Sequence, residues 1–361
     1  MEIALIVLIL VIIIAFVFEY INGFHDSANA ISMVVSTKAL SPRNAIIYAA
    51  ILNFAGSLCG THVAKTIGAG MVSADSITQL VILCALLGAV IWNLFTWFLG
   101  LPSSSSHALI GGLLGAAIAH SYFKLDKAYD LILRMPSFRL EHPSLDAVNG
   151  YNVLHKVLIP MITSPILGFV VGFLVILILL KIFHKVRPET LNRVFRKLQW
   201  VSSGFLAFSH GSNDAQKTMG IITLALMTAG LIQHKTFDIP LWVICACAST
   251  MALGTMTGGW KIIRTMSSKV MKMKPIHGFS VEMASAGIIL TASHLGFPVS
   301  TTHIISTAIM GVGSMVKVSA VKWGIVKNIV IAWVFTIPIC MILSAGFYFA
   351  LMNTPLANAG G

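Results

Sequence analysis

The chain reads as a series of long apolar runs broken by short polar stretches. Residues 3–18, continuing into 19–21, are followed by similar runs at 77–100, 157–182, 218–232 with its N-terminal extension, 239–259 and 324–352. Several of these reach the ~20 residues a helix needs to cross a bilayer. The pattern predicts an all-α polytopic membrane protein. The first run does not read as a secretory signal: it lacks a basic leading region and a clear small-residue cleavage site, and Glu2 is acidic.

One interruption stands out. "NGFHDSANAI" (22–31) follows an almost unbroken apolar run yet brings in Asn22, His25, Asp26, Ser27 and Asn29. A carboxylate at the centre of a membrane helix costs about 2.5–3.5 kcal/mol on insertion scales, so it needs a partner or a role. Self-comparison supplies a context. "GFHDSANAI" (23–31) returns as "GSNDAQKTM" (211–219), which aligns Gly23 with Gly211 and Asp26 with Asp214 at an offset of 188. "GLPSSSSH" (100–107) returns as "GFPVSTTH" (296–303) at an offset of 196. Two motifs in the same order at nearly the same separation mark an internal duplication.

Composition narrows the class. The chain is 57% hydrophobic and 10% charged, whereas soluble globular proteins are about a quarter charged. The net charge of +12 comes from Lys and Arg placed between apolar segments. That is the signature of loops held near anionic lipid, not of nucleic-acid binding. The five cysteines (59, 84, 245, 247, 340) lie in apolar segments without a CxxC and read as packing residues.

Charge also orients the two copies. After residue 260 come Lys261, Arg264, Lys269, Lys272 and Lys274 with no acid, whereas the counterpart near 61–76 has only Lys65 against Asp75. By the positive-inside rule the former is cytoplasmic and the latter external. Residues 181–197, with six Lys/Arg against one Glu, and 317–327, with three Lys, are cytoplasmic too. Five passes per copy satisfy this: 3–36, 44–60, 77–100, 105–120 and 154–182, then 200–232, 239–260, 276–296, 299–316 and 324–352. Re-entrant hairpins at the hydroxyl runs would leave the parity unchanged. The predicted domains are a first repeat (1–182, with 121–153 external), a basic cytoplasmic linker (183–199) and an inverted second repeat (200–361). Both termini fall outside. Inverted repeats with a midplane site are a transporter architecture.

Gly23 and Gly211 favour broken helices there, whose free carbonyls would join Asp26 and Asp214 around a cation. Ser103 to Ser106, and Ser300 with Thr301 and Thr302, follow a proline expected to open a helix. They place hydroxyls and free N–H groups at helix N-termini, where a tetrahedral anion binds. An ordinary cap needs only one hydroxyl. His107 and His303 close the runs. His25 has no counterpart, because Asn213 takes its place, which excludes a symmetric role. Glu282, in "GFSVEMASAG", aligns near Leu86 and is an unmatched acid suited to proton coupling; Glu19 is a weaker case of the same kind. A Ser–His hydrolase fits poorly, since both copies keep the same set and a nucleophile–base pair is normally asymmetric. A passive anion channel fits poorly beside two carboxylates.

At these residues the sequence resembles the inorganic phosphate transporter (PiT) family. Its hallmark is a duplicated Gly-x-Asn-Asp-x-x-Asn-like motif with Pro-x-Ser/Thr-Ser/Thr-Ser/Thr-His elements, here "GFHDSANAI", "GSNDAQKTM", "PSSSSH" and "PVSTTH". The stretch "GFSVEMASAGIILTASHLGFPVSTTHIISTAIMGVG" is similar to the family throughout, and the resemblance covers all but 121–153 and 183–199. It implies phosphate uptake across the cell membrane by cation symport, without catalysis or a tightly bound cofactor. By position it points to Asp26, Asn29, Ser104, Ser105, Asp214, Ser300 and Thr301. Joined with the residues read directly, the phosphate set is Asn29, Ser104, Ser105, Ser106, Gln216, Lys217, Ser300, Thr301 and Thr302. The cation-coupling set is Asn22, Asp26, Asn213, Asp214 and Glu282. His25 and Lys217 replace family asparagines. A lysine at 217 resembles the bacterial low-affinity branch, associated with protons and neutral metal–phosphate rather than sodium. Asp26, Asp214 and divalent hydrogen phosphate sum to −4, which Lys217 reduces to −3. Further positive charge must travel too: H+, Na+, or Mg2+ with the phosphate. Sulfate is the runner-up substrate, disfavoured because it has no proton to give an aspartate. A homodimer is left open.

Overall fold

The computed structural model describes residues 2–70, 77–132, 149–232, 237–266 and 270–356. Asp75, Lys269 and residues 133–148 of the expected external segment 121–153 lie outside them. The described residues fold as helices: α1 (Glu2–Ser36), α2 (Pro42–Ser57), α3 (His62–Gly70), α4 (Gln79–Leu99), α5 (Ser105–Ile132) and the short α6 (Gly150–Val153). A π-helical turn, Leu154–Leu158, leads into α7 (Ile159–Ile182). Then come α8 (Pro188–Thr228), α9 (Leu241–Thr257), α10 (Trp260–Arg264), α11 (Pro275–His294), α12 (Thr301–Val316) and α13 (Trp323–Leu351).

Local chemistry explains the boundaries that matter. Ser41 caps α2 just before Pro42, and Thr78 caps α4 by accepting from the Val81 N–H at 3.2 Å. Gly100 and Gly296, 196 residues apart, end α4 and α11 at φ +67° and +73°, a conformation glycine adopts without steric cost. From the sequence, Pro102 and Pro298 are expected to open the following helices, and they do not. They lie in extended linkers, and α5 and α12 start three residues later at Ser105 and Thr301.

Among the described residues, four helical stretches are long and apolar enough to cross a membrane: α1, α4, 150–182 and α13. α2 and α3 form a pair bent by 71°, and α9 and α12 are shorter apolar helices. The basic stretch 183–199 is no free linker, because α8 begins within it at Pro188 and runs unbroken to Thr228.

α1 and α8 pack antiparallel at the centre. Glu19 meets Thr218, Asp26 meets Asp214, and Thr37 meets Gln199. The break expected at Gly23 and Gly211 is absent, for both helices run straight through. The glycines serve close packing instead. A Cβ on Gly23 would lie 2.5 Å from the Met251 carbonyl oxygen of α9, and one on Gly211 2.2 Å from the Asn53 carbonyl oxygen of α2. Lipid supplies no hydrophobic drive between helices, so such small-residue contacts carry the association. One apolar cluster gathers the first half of α1 with α4, α5 and the second half of α8. The other gathers the second half of α1 with α11, α12 and the first half of α8. The polar motifs fall where the two clusters meet.

Candidate functional site

Glu19, Asn22, Asp26 and Asn29 follow one another along α1 at spacings of three or four, so they share one face. α8 brings His210, Asp214, Lys217 and Thr218 against it, and all eight side chains are buried. The starts of α5 and α12 close the cluster from either side.

The contacts repeat across the duplication. Ser105 Oγ donates to Asp26 Oδ2 at 2.9 Å, and its counterpart Thr301 Oγ1 donates to Asp214 Oδ2 at 3.0 Å. Asn29 Nδ2 donates to Thr302 Oγ1 at 2.9 Å, while Lys217, at the matching position, donates to Ser106. Lys217 also donates to Asp214 and, at 3.2 Å, to the Val299 carbonyl, so all three ammonium protons have acceptors. Asn29 reaches Thr301 at 3.3 Å, Thr302 reaches Asp26 at 3.4 Å, and Ser105 reaches Asn22 Oδ1 at 2.6 Å. An ammonium sealed from water is tolerable only because a carboxylate faces it.

Within each hydroxyl run the duties divide. Ser104 and Ser300 accept from the His107 and His303 N–H groups at 3.2 and 3.3 Å and so cap α5 and α12. The next two hydroxyls of each run turn to the aspartates, Lys217 and Asn29. Of the five hydroxyls beyond the two caps, four are thus spent on the site, and Ser103 bonds Thr96. His107 and His303 themselves meet edge to face, ring centroids 4.7 Å apart, and His303 packs on Trp333 at 4.0 Å.

The structure corrects the reading of His25 as a residue without a partner copy. His25 Nδ1 lies 2.9 Å from Asp26 Oδ1, and His210 Nε2 lies 3.1 Å from Asp214 Oδ2. At the offset of 188, His210 occupies the position of Asn22, one turn before its aspartate. Each carboxylate therefore has one imidazole, delivered from a different register. The sequence signal was present in "SHGSND", as a histidine four residues before an aspartate on one helix face. His25 Nε2 also reaches Thr96, which contacts Ser103 at 2.8 Å, so α4 is tied in.

Three expected members lie elsewhere. Gln216 Oε1 accepts from the Val63 N–H at 2.9 Å, near the start of α3. Asn213 donates to Ser293 at 2.9 Å and to the Phe297 carbonyl at 3.3 Å, tying α8 to the α11–α12 turn. Glu282 accepts from Ser202 at 2.5 Å and sits beside Gln199. Ser202 precedes Asp214 by twelve residues, roughly 18 Å along α8.

What converges is an oxyanion's set of donors beside a cation's set of acceptors. Lys217, Asn29 and four hydroxyls supply the first. Asp26, Asp214 and His210 supply the second, with one ligand atom from each within 4.8 Å of the others. Carboxylates and an imidazole suit a hard or borderline cation.

A helical membrane protein with a buried site of this composition belongs among solute carriers. Residues 22–344 match the phosphate transporter family, and the chain belongs to that family. It is 46% identical over 97% of its length to a probable low-affinity inorganic phosphate transporter of Bacillus subtilis, covering 99% of that protein. A protein of the same description from Rhizobium meliloti is 43% identical, over 94% of this chain and 95% of its own. Among solved structures, "The sodium-dependent phosphate transporter" superposes with a TM-score of 0.83 at 25% identity, covering 96% of this chain and 98% of its own.

Proposed function

We propose that this protein imports inorganic phosphate across the cell membrane by symport with a cation, protons or a divalent metal being favoured over sodium alone. The observation that carries the reading is the two-fold contact scheme around Asp26 and Asp214, with Lys217 replacing an amide on one side only. Phosphate takes Lys217, Asn29, Ser105, Ser106, Thr301 and Thr302; Ser104 and Ser300 hold the two helix starts in place. The accompanying cation sits with Asp26, Asp214 and His210. Lys217 stands in for one monovalent cation, which lowers the number that must be carried. Phosphate enters as cargo alone or as a neutral complex with Mg2+.

The architecture we adopt is a pair of inverted repeats, 1–182 and 200–361, joined by the basic stretch 183–199, with both termini external. The antiparallel crossing of α1 and α8 and the repeated contacts support it. Gln79, at the start of α4, bonds Thr228 at the far end of α8, while Ser105 meets Asp26 at mid-helix. That supports a re-entrant α4–α5 hairpin, and α11–α12 is its counterpart.

The test is uptake of labelled phosphate by proteoliposomes under separately imposed proton and sodium gradients, with and without Mg2+ and with sulfate as competitor. Uptake that follows sodium alone, indifferent to protons and Mg2+, overturns the coupling assignment. Sulfate competing as well as phosphate overturns the substrate assignment. Coupled transport kept by both Asp26→Asn and Asp214→Asn overturns the role of the carboxylates.

A further inference from the structure

The phosphate and cation cluster leaves one buried acid on the same helix face unused. Glu19 lies seven residues, two turns, before Asp26 and is fully buried. Thr218, the neighbour of Lys217, donates to its Oε2, and its Oε1 has no hydrogen-bond partner. The ionisable groups that face it are few. Asp214 and Lys217 face it from α8, and the buried thiol of Cys247 faces it from α9. The ammonium of Lys217 is already committed to Asp214, Ser106 and Val299. Among the described residues Glu19 therefore forms no ion pair.

An isolated carboxylate deep in a membrane protein is costly, whereas the neutral carboxyl is far less so, and its O–H can serve as a donor. The fold does not require an acid at this place. At the offset of 188 the position corresponds to Ala207. A route toward the site exists: one turn along the same face Asn22 accepts from Ser105, whose hydroxyl also reaches Asp26. The second unmatched acid, Glu282, stands at the other end of the α1–α8 crossing, near Thr37 and Gln199.

We propose that Glu19 is a proton-carrying site of the transport cycle, separate from the phosphate site. It takes up a proton on one side of the membrane and releases it on the other, and the only bond made and broken is its carboxyl O–H. This rests on the reading of the chain as a phosphate transporter. Gln at position 19 keeps the shape and an acceptor for Thr218 but carries no exchangeable acid proton.

The experiment compares wild type, Glu19→Gln and Glu19→Asp in proteoliposomes by two assays. The first is exchange of labelled for unlabelled phosphate without any gradient. The second is net accumulation driven by an imposed pH gradient. Glu19→Gln is expected to keep exchange and lose gradient-driven accumulation, and Glu19→Asp to restore part of it. Accumulation by Glu19→Gln that still follows the pH gradient overturns the proposal. So does loss of exchange along with accumulation, which would make Glu19 a part of the substrate site or the fold. A wild type that exchanges phosphate but ignores the pH gradient also overturns it while leaving phosphate transport intact. Absence of any phosphate exchange in wild type would instead defeat the functional reading itself.

Discussion

Lys217→Asn turns the second half of the site into a copy of the first, and its consequence can be worked from the contacts. Lys217 is 1% exposed and holds Asp214, Ser106 and the Val299 carbonyl together. Without it Asp214 keeps only Thr301 at 3.0 Å and His210 at 3.1 Å. Removing one partner of a buried ion pair costs about 3–5 kcal/mol when nothing replaces the lost charge. With about 1.4 kcal/mol per factor of ten, the variant loses on the order of 100-fold or more in kcat/KM for phosphate in sodium-free medium. Asparagine ends two atoms short of the lysine ammonium and brings a carbonyl oxygen, so the space beside Asp214 becomes a place for a monovalent cation. Added sodium therefore restores uptake in Lys217→Asn. Lys217→Met, which fills the space without a ligand, stays inactive. The assay is initial phosphate uptake in proteoliposomes with sodium, potassium or choline at constant ionic strength. Wild-type uptake by Lys217→Asn without sodium, or sodium rescue of Lys217→Met, would refute the reasoning.

Ser104→Ala and Ser105→Ala separate capping from binding: the first costs about 1 kcal/mol of stability, read by thermal unfolding in detergent, and the second raises KM for phosphate. Ser300→Ala and Thr301→Ala behave likewise in the other half. Gly211→Val, whose branched side chain would drive into the Asn53 carbonyl, lowers the yield of folded protein in size-exclusion chromatography far more than Gly287→Val, at a glycine with open space around it. A membrane-impermeant maleimide labels Cys59, which is exposed and lines a cavity of about 280 Å3 with Ser212, Gln216 and Ser293; phosphate slows that labelling if the cavity leads to the site. Buried Cys84, Cys247 and Cys340 stay unlabelled in the folded protein.

The helices and the motif residues were legible because both signals are strong over long windows. Apolar runs of membrane length admit few alternatives, and a duplicated Asp in such a run cannot be decorative. What the sequence hid was the use of its small residues. Gly23 and Gly211 sit beside the aspartates, and proximity to a polar motif reads as a helix break. Whether a glycine breaks a helix or admits a neighbour depends on what lies across from it, here the backbones of α9 and α2. The same limit misplaced Gln216 and Asn213. Both belong to the motif in sequence, but Gln216 lies on the side of α8 turned from Asp214 and Lys217, against the start of α3, while Asn213, one turn before Lys217, is taken by Ser293 and the Phe297 carbonyl. Helical spacing alone would have sorted Gln216, had the segment been taken as helix throughout, but not Asn213, whose diversion depends on the neighbouring α11–α12 turn.

That unbroken helix also resolves the apparent asymmetry of the histidines. Aligned by sequence, His25 faces Asn213 and His210 faces Asn22, so neither histidine has a match. On a continuous helix, however, the residue next to an aspartate and the residue one turn before it can both reach the carboxylate. Each copy uses one of these two positions for imidazole and the other for an amide that ties the helix to a neighbouring hairpin. The chemistry around the two aspartates is thus conserved between the halves while the residues that supply it are exchanged. The position one turn after the aspartate has no such compensation. Asn29 and Lys217 make equivalent bonds to Thr302 and Ser106 but differ by a full charge. A two-fold site that must hold a dianion and then release it can balance amide against imidazole at little cost. Under the symport we propose, a fixed ammonium on one side only changes how many cations accompany each phosphate, so coupling is the property expected to respond when residue 217 is changed.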